Sequence, residues 1–365
     1  MTVLPNYKHW LATAREAITV SPVLHRIVLL FVLLALTGAG CIRINSGGSS
    51  AALYESIDGG KTWSAADKVL TADGATSLLP LMKPAVFQFD PTDSKTIYVS
   101  SQEGKFYQSV NQGGTWLPLQ QTGDPILALD VHPQHPCTFY ASRLSRIEKS
   151  IDCGRRWDTI IQLPESLTVL TIRVNPIHPN MVLAGTNRGD LYVSVDNGVQ
   201  WVSPLRIADR IGEILFTHTP SQDIYVLGYG GSLYRSSDLA KNWSDITAPL
   251  RTSTNGSPLT GAFLNVNKPQ ELYVSTQRSL VHSLDRGGSW TIIPLLTSPQ
   301  VTSINTLAVD PQDPRIIYYA NTTTLYRSAN TGQTWQSFPL PSAESAAQLL
   351  IDPHIHGHLY LVVTL

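Results

Sequence analysis

SIDGGKTW, residues 56–63, packs a serine, an acid, two glycines and a tryptophan into eight positions. The pattern S-x-[DN]-x-G-x-x-W returns as SVNQGGTW (109–116), SIDCGRRW (150–157), SVDNGVQW (194–201), SSDLAKNW (236–243), SLDRGGSW (283–290) and SANTGQTW (328–335). Ala240 stands in one copy where the others carry Gly. Seven of the eight tryptophans in the chain close a copy, at spacings of 53, 41, 44, 42, 47 and 45 residues. A period in the forties with strand-like flanks is the signature of propeller blades.

Each residue type has a physical task in such a turn. Asp58 is placed to accept hydrogen bonds from backbone N–H groups of its own turn, and Gly60 supplies a positive φ. The Ser56 hydroxyl can tie the strand end to the turn. Asp152, Asp196, Asp238 and Asp285 repeat the acid, while Asn111 and Asn330 keep the acceptor without the charge. A structural hydrogen bond tolerates that exchange; an acid catalyst does not. Trp63, Trp116, Trp157, Trp201, Trp243, Trp290 and Trp335 are expected to fill the gap beside the next blade, each N–H seeking a carbonyl. Seven-fold repetition round a ring is also wrong for one active site, so the turn reads as a structural staple.

A second signature lies between the tryptophans. It runs VFQFDPTDSKTIYVSS (86–101), LALDVHPQHPCTFYAS (127–142), TIRVNPIHPNMVLAGT (171–186), EILFTHTPSQDIYVLG (213–228), AFLNVNKPQELYVSTQ (262–277), TLAVDPQDPRIIYYAN (306–321) and QLLIDPHIHGHLYLVV (348–363). Each is two apolar runs joined by a polar turn whose Pro excludes strand continuation. A third strand such as LYRSA leads into the eight-residue turn, and the Trp opens a fourth. Four strands repeated seven times predict an all-β, seven-bladed β-propeller of four-stranded antiparallel blades. The chain starts with a third strand (AALYES, 51–56) and ends after two strands, so its terminal hairpins should share one blade and close the ring.

Composition narrows the function classes. Charged residues are 15% of the chain and the net charge is -1, so no polybasic surface points to nucleic acid. Residues 1–26 are mixed and polar, 27–42 (IVLLFVLLALTGAGCI) are uncharged and apolar, and 43–50 form a loose linker before the propeller at 51–365. The apolar run suits a signal-peptide core or a short membrane helix, with the body outside the cytoplasm. Gly38, Ala39 and Gly40 before Cys41 resemble a bacterial lipoprotein cleavage box, although Gly38 stands where that box usually has Leu. Lipidation at Cys41, an uncleaved anchor and plain secretion all remain open, and any of them puts the body in an oxidising compartment. Cys137 and Cys153 are then a disulfide candidate, with two buried free thiols as the alternative.

The turns resemble the Asp-box repeat of bacterial neuraminidases. The combined motif LAVDPQDPRIIYYA…LYRSANTGQTW is similar to a set of Asp-box propellers that includes the photosystem II stability/assembly factor, the sortilin ectodomain and the xyloglucanase-type glycoside hydrolases. The resemblance covers 51–365 and implies fold more strongly than function, since such relatives bind proteins, bind peptides or cleave polysaccharides. A sialidase is disfavoured: the nearest string to its Arg-Ile-Pro motif is Arg206-Ile207-Ala208, mid-chain and without the Pro. Xyloglucanase-type enzymes use two facing propellers with an acid from each, and this chain has one.

The resemblance also implies that ligands meet the ring face opposite the Asp-box turns. Arg143, Arg146, Arg188, Arg206, Arg210, Arg251 and Arg278 fall in its turns and interblade loops. An arginine-rich face suggests docking of an acidic segment of a protein or peptide; solvated loop arginines are the alternative. Acids are sparse there (Asp67, Asp73, Glu103, Asp190, Asp209, Glu213) and no spacing forces two together, so no catalytic residue is assigned. His354, His356 and His358 alternate in DPHIHGHLY, but His132, His135, His178 and His218 occupy corresponding loops of other repeats, which favours polar loop positions over a metal site. The expectation is a monomeric, membrane-tethered binding or assembly module without metal or cofactor. A cell-surface carbohydrate-active enzyme or lectin is the alternative.

Overall fold

The computed structural model describes residues 52–363, apart from 72–73, 75, 80–85, 102, 121–122, 219–221, 266–267 and 298–302. The segments 1–26, 27–42 and 43–50, including Cys41 and the expected apolar helix, lie outside the described residues. Seven four-stranded antiparallel sheets follow one another as blades. Blade 1 consists of Phe87–Phe89, Ile97–Ser100, Phe106–Ser109 and Leu117–Gln120, from the inner to the outer strand. Blades 2 to 6 repeat that order over 128–162, 169–206, 211–245, 259–293 and 306–339. Blade 7 takes its two inner strands, Ala346–Ile351 and Leu359–Val363, from the C-terminus and its two outer ones, Leu53–Ser56 and Ser64–Ala65, from the start. The shared closing blade expected from the sequence is therefore present.

Seams between blades hold the core. Leu129 and Val131 of blade 2 pack with Tyr98 and Phe106 of blade 1, while Ala128 of the same strand packs with Ile172 and Val174 of blade 3. Alternation along one inner strand thus serves two seams, which is why these short runs are apolar on both faces. The last seam closes on aromatic rings: Tyr360 of blade 7 lies 5.2 Å from Phe87 and 5.6 Å from Phe89 of blade 1. Its hydroxyl donates to the Gln112 carbonyl of blade 1 at 3.0 Å, as the Tyr140 hydroxyl of blade 2 donates to Asn197 of blade 3 at the same distance.

The eight-residue turns do what their composition predicts, with one correction. In the first, the Ser56 hydroxyl donates to Asp58 and accepts from the Gly60 N–H, while Asp58 accepts from the Lys61 and Thr62 N–H groups. Two consecutive residues, not one, are left-handed: Gln112 and Gly113, Asn197 and Gly198, Thr331 and Gly332. The first of each pair donates its N–H to the loop between the two inner strands, as in Gln112 to Lys95, Asn197 to Asn180 and Thr331 to Arg315. The glycine that follows is required twice over. A Cβ on Gly60 would lie 2.2 Å from Leu325, on Gly154 2.6 Å from Phe106, and on Gly332 2.0 Å from Ile293, in each case a residue of the preceding blade. Ala240, at φ 64°, is the position where a methyl fits.

The tryptophans also face the preceding blade rather than the next one. Trp157 packs against Phe106 of blade 1, Trp201 against Tyr140 of blade 2, and Trp63 against Tyr318 of blade 6. The turn crosses towards its predecessor, so the ring that follows it must lie there. Trp116 and Trp335 reach carbonyls across the seam, Ala66 at 2.6 Å and Pro294 at 2.8 Å, whereas Trp157 and Trp201 bond back within their own turns. Nε1 of Trp63, Trp243 and Trp290 finds no acceptor among the described residues.

Two further elements depart from the repeat. The long connection after blade 7's outer strand forms a hairpin, Lys68–Leu70 with Thr76–Leu78, that hydrogen-bonds along Trp116. A two-turn helix, Thr247–Thr254, follows blade 4, anchored by buried Leu250 and Thr254 and ended by left-handed Asn255. Pro249 sits in its first turn, where the missing N–H costs nothing.

Candidate interaction face

Antiparallel strands put the eight-residue turns and the inner-strand loops at one end of every blade, and the remaining turns and interblade connections at the other. Backbone bonds knit that second end together: Ile207 to Gly189, Leu259 to Tyr229, Ile304 to Gln277 and Leu340 to Thr323. This is the face on which the arginines were expected, and the structure separates them into two groups.

Arg143 is not on the surface. It is buried, donates to Glu148 at 2.8 Å and to Gln120 at 2.8 Å, bonds the Asp124 carbonyl, and lies 5.6 Å above the Trp157 ring. All three guanidinium nitrogens are engaged and the side chain is buried, so it positions a strand end and is not offered to a partner. Arg146 beside it pairs with Asp124 and, at 3.5 Å, with Glu148. Arg206 stands opposite Asp190 in strand register and approaches it to 3.5 Å while remaining 68% exposed. Arg210 lies 5.0 Å above the Tyr229 ring. Arg188, Arg251 and Arg278 are exposed and make no ion pair among the described residues. The available cations are therefore Arg188, Arg251 and Arg278, with Arg206 and Arg210 partly engaged.

Two acids of this face are occupied by neighbours. Asp190 faces Arg206, and Asp209 accepts the Gly230 N–H while its carboxylate fills the space beside Gly228, whose absent Cβ would lie 2.4 Å away. Asp67 caps the Ala52 N–H. Asp73 lies outside the described residues.

Sequence reasoning missed a charged line along the inner strands. Gln88 of blade 1 donates to Asp130 of blade 2 at 3.2 Å, and Asp130 accepts the free-edge N–H of Val174 of blade 3 at 2.7 Å. Burial pushes the Asp130 carboxyl up, against the pull of Arg173 and of the Val174 and Val131 N–H groups. Burial pushes the Glu213 carboxyl of blade 4 up as well, again opposed by Arg173. The signal was available: each charge interrupts an apolar run that the repeat assigns to an inner strand, LALDV, TIRVN and IGEIL.

The histidines diverge. His354 meets the Asp90 carbonyl at 3.2 Å, His356 meets Asp310 at 2.9 Å, and His358 lies between Glu55 at 3.5 Å and Asp352 at 3.7 Å. Successive rings thus serve different neighbours, and among the described residues no three His, Cys, Asp or Glu side chains gather as a metal site. Cys137 and Cys153 are joined as a disulfide between the inner-strand loop and the eight-residue turn of blade 2. It spans the same connection as the Cys153 N–H to Cys137 carbonyl bond of 3.0 Å.

No family model matches the chain, and no curated protein matches it. Solved structures do. A GH74 xyloglucanase from Xanthomonas campestris is similar with a TM-score of 0.63 at 19% identity, over 78% of this chain and 51% of its own. The chain thus spans about half the length of that enzyme. YCF48 bound to a D1 peptide gives 0.60 at 16% identity, covering 78% of this chain and 94% of its own. YCF48 from Cyanidioschyzon merolae gives 0.55 at 14%, covering 78% and 97%. At these identities the likeness establishes the propeller fold, and it places a hydrolase and a peptide-bound protein among similar rings.

Proposed function

We propose that the propeller is a protein-docking module, tethered outside the cytoplasm through residues 27–42, whose face opposite the eight-residue turns takes an acidic segment of a partner. The observation that carries this reading is the set of exposed arginines Arg188, Arg251 and Arg278, flanked by Arg206 and Arg210, on loops of a rigid ring. Guanidinium groups on a fixed frame lose little freedom when they meet carboxylates, and their planar forks favour bidentate contact. The similar YCF48 ring that holds a peptide supports a polypeptide as the occupant.

Fluorescence anisotropy with a glutamate-rich peptide tests the docking face. Arg188→Glu, Arg251→Glu and Arg278→Glu together should weaken binding by roughly tenfold or more while thermal stability stays unchanged, because each side chain is exposed. Equal binding by the triple variant overturns the proposal. Intact mass and membrane fractionation of the chain and of Cys41→Ser test the tether.

A polysaccharide hydrolase is the second reading, favoured by the similarity to the xyloglucanase ring. Xyloglucan turnover that disappears in Asp190→Asn or Asp209→Asn would replace docking by hydrolysis.

A further inference from the structure

A cleft of about 80 Å³ opens between blades 4 and 5, beside the docking face. Leu227, Leu259 and Ala262 give it apolar walls, and Glu213, Tyr229 and Thr260 give it polar groups. Its carboxylate is unlike the other buried acids of the ring. Asp130 accepts from Gln88, Val131 and Val174, and Asp223 from Arg235 and Arg286, whereas Glu213 accepts no hydrogen bond among the described residues. Arg173 acts on it electrostatically without a contact ion pair. A half-buried carboxylate with no donor from the protein is left to solvent until a ligand supplies one.

The cleft is also a departure from the repeat. Inner strands of blades 3, 4, 5 and 7 each begin with a bulge, and the residues that follow it are Thr171, Glu213, Gly261 and Gln348. Blade 4 alone among these puts a charge there, while blade 5 brings only the backbone of Gly261 to the cleft, its side-chain position turned towards Leu307 of blade 6. Gly212 is held against Tyr229, where a Cβ would come within 3.0 Å of the ring. Gly261 is different: a Cβ there would meet Ser275 Oγ at 3.4 Å and Leu307 of blade 6 at 3.8 Å, so a methyl would fit on the side of blade 6.

We propose that this cleft binds a primary alkylammonium group, the end of a lysine side chain of a docked polypeptide. The polypeptide rests on the docking reading; the ammonium site does not. About 80 Å³ is the room of roughly two or three water molecules, enough for an ammonium and its adjoining methylenes. The ammonium donates to Glu213, and the Thr260 hydroxyl, paired with Ser275 at 2.9 Å, keeps a lone pair for it. Leu227, Leu259 and Ala262 cover the stem. A compact point charge fits this space better than a planar guanidinium. The charged and titratable groups around the cleft are Arg173, Arg210, Asp209 and Tyr229; burial raises the Glu213 carboxyl, so ammonium binding should strengthen as pH rises and that carboxyl ionises.

Saturation-transfer NMR on the full chain in detergent, with n-butylammonium chloride at constant ionic strength, tests the site. Saturation of the butyl protons is expected, stronger at pH 8 than at pH 5, with n-butanol giving none. Glu213→Gln should weaken binding by roughly tenfold or more, since a charge-assisted contact is lost. Equal saturation by n-butanol, or full retention in Glu213→Gln, overturns the proposal. The arginine charge-reversal experiment reads different residues and stands or falls separately.

Discussion

Glu55 stands opposite Tyr360, in the antiparallel register that joins the first strand of the ring to the last: Leu53 faces Val362, Tyr54 faces Leu361 and Ser56 faces Leu359. The same Glu55 approaches His358, so backbone pairing and side chain both bind the start of the propeller to its end. Deleting residues 51–65 should therefore remove two strands from blade 7 and leave the edge of Leu359–Val363 unpaired. Ala52 and Leu53, both fully buried, would go with them. The shortened protein should melt at a markedly lower temperature and aggregate through the free edge, as calorimetry and light scattering would reveal. Full thermal stability of the shortened ring would contradict closure by this blade.

Gly332→Ala and Ala240→Gly form a matched pair at the same position of two turns. At Gly332 φ is 81° and a Cβ would lie 2.0 Å from Ile293, so alanine should cost about 2–3 kcal/mol from backbone strain and overpacking combined. At Ala240 the methyl is already buried and in contact, and glycine exchanges relief of φ strain for lost packing, a change within about 1 kcal/mol. Denaturant midpoints of the two variants check the contrast. Similar losses would mean that the preceding blade does not set the glycine requirement.

How far these features could be read in advance depends on whether they repeat. The turns, the blade count and the closing blade are stated seven times by Ser56, Trp63 and their equivalents, so the ring followed from spacing alone. The direction in which Trp157 packs did not, because a tryptophan's sequence position says nothing about which seam its turn leans into. Arg143 misled for a related reason. It sits in a turn with the same polar look as that of Arg188, and only the fold brings Glu148, Gln120 and the Trp157 ring around it. The helix at Thr247–Thr254 is hidden by Pro249 and its threonines, which are poor helix formers; the burial of Leu250 holds it. Glu213 becomes informative only once the fold sets it in the cleft between blades 4 and 5.

Arg143 and Glu148 form a buried ion pair, and removing Arg143 leaves the buried Glu148 with only the longer contact to Arg146. Arg143→Met should destabilise the ring by about 3–5 kcal/mol, and adding Glu148→Leu should recover much of the loss. Urea unfolding of the single and double variants measures it. A loss of peptide binding by Arg143→Met at unchanged stability would instead return Arg143 to the docking face.

Acid should loosen the turns. Hydrogen bonds from the backbone and side chain of Asn242, then from Ser236, hold the Asp238 carboxyl down at about 2. Burial works against the lowering of Asp58, yet bonds from Thr62, Ser56 and Lys61 bring it to about 2 as well. Asp152, Asp196 and Asp285 are lowered in the same direction by bonds within their own turns. These folded values lie below the unfolded ones, so the turns contribute fully above about pH 4 and lose that contribution as pH falls towards 2. The melting temperature should drop over that window, and less steeply in Asp58→Asn, since the native turns with Asn111 and Asn330 keep their bonds without titrating.

Glu213 should show the opposite sign. Burial raises its carboxyl above the unfolded value, so the native state favours the protonated form and is penalised as pH rises through the raised value. Glu213→Gln removes the charge and keeps the shape, and there is no accepted hydrogen bond to lose. The variant should melt higher than the parent at pH 8, and the gain should shrink to nothing towards pH 4, where the parent carboxyl is already protonated. Melting curves of both proteins at pH 4, 6 and 8 decide it. A variant less stable than the parent at pH 8 would mean that the ionised carboxylate contributes to holding blades 4 and 5 together, through its attraction to Arg173.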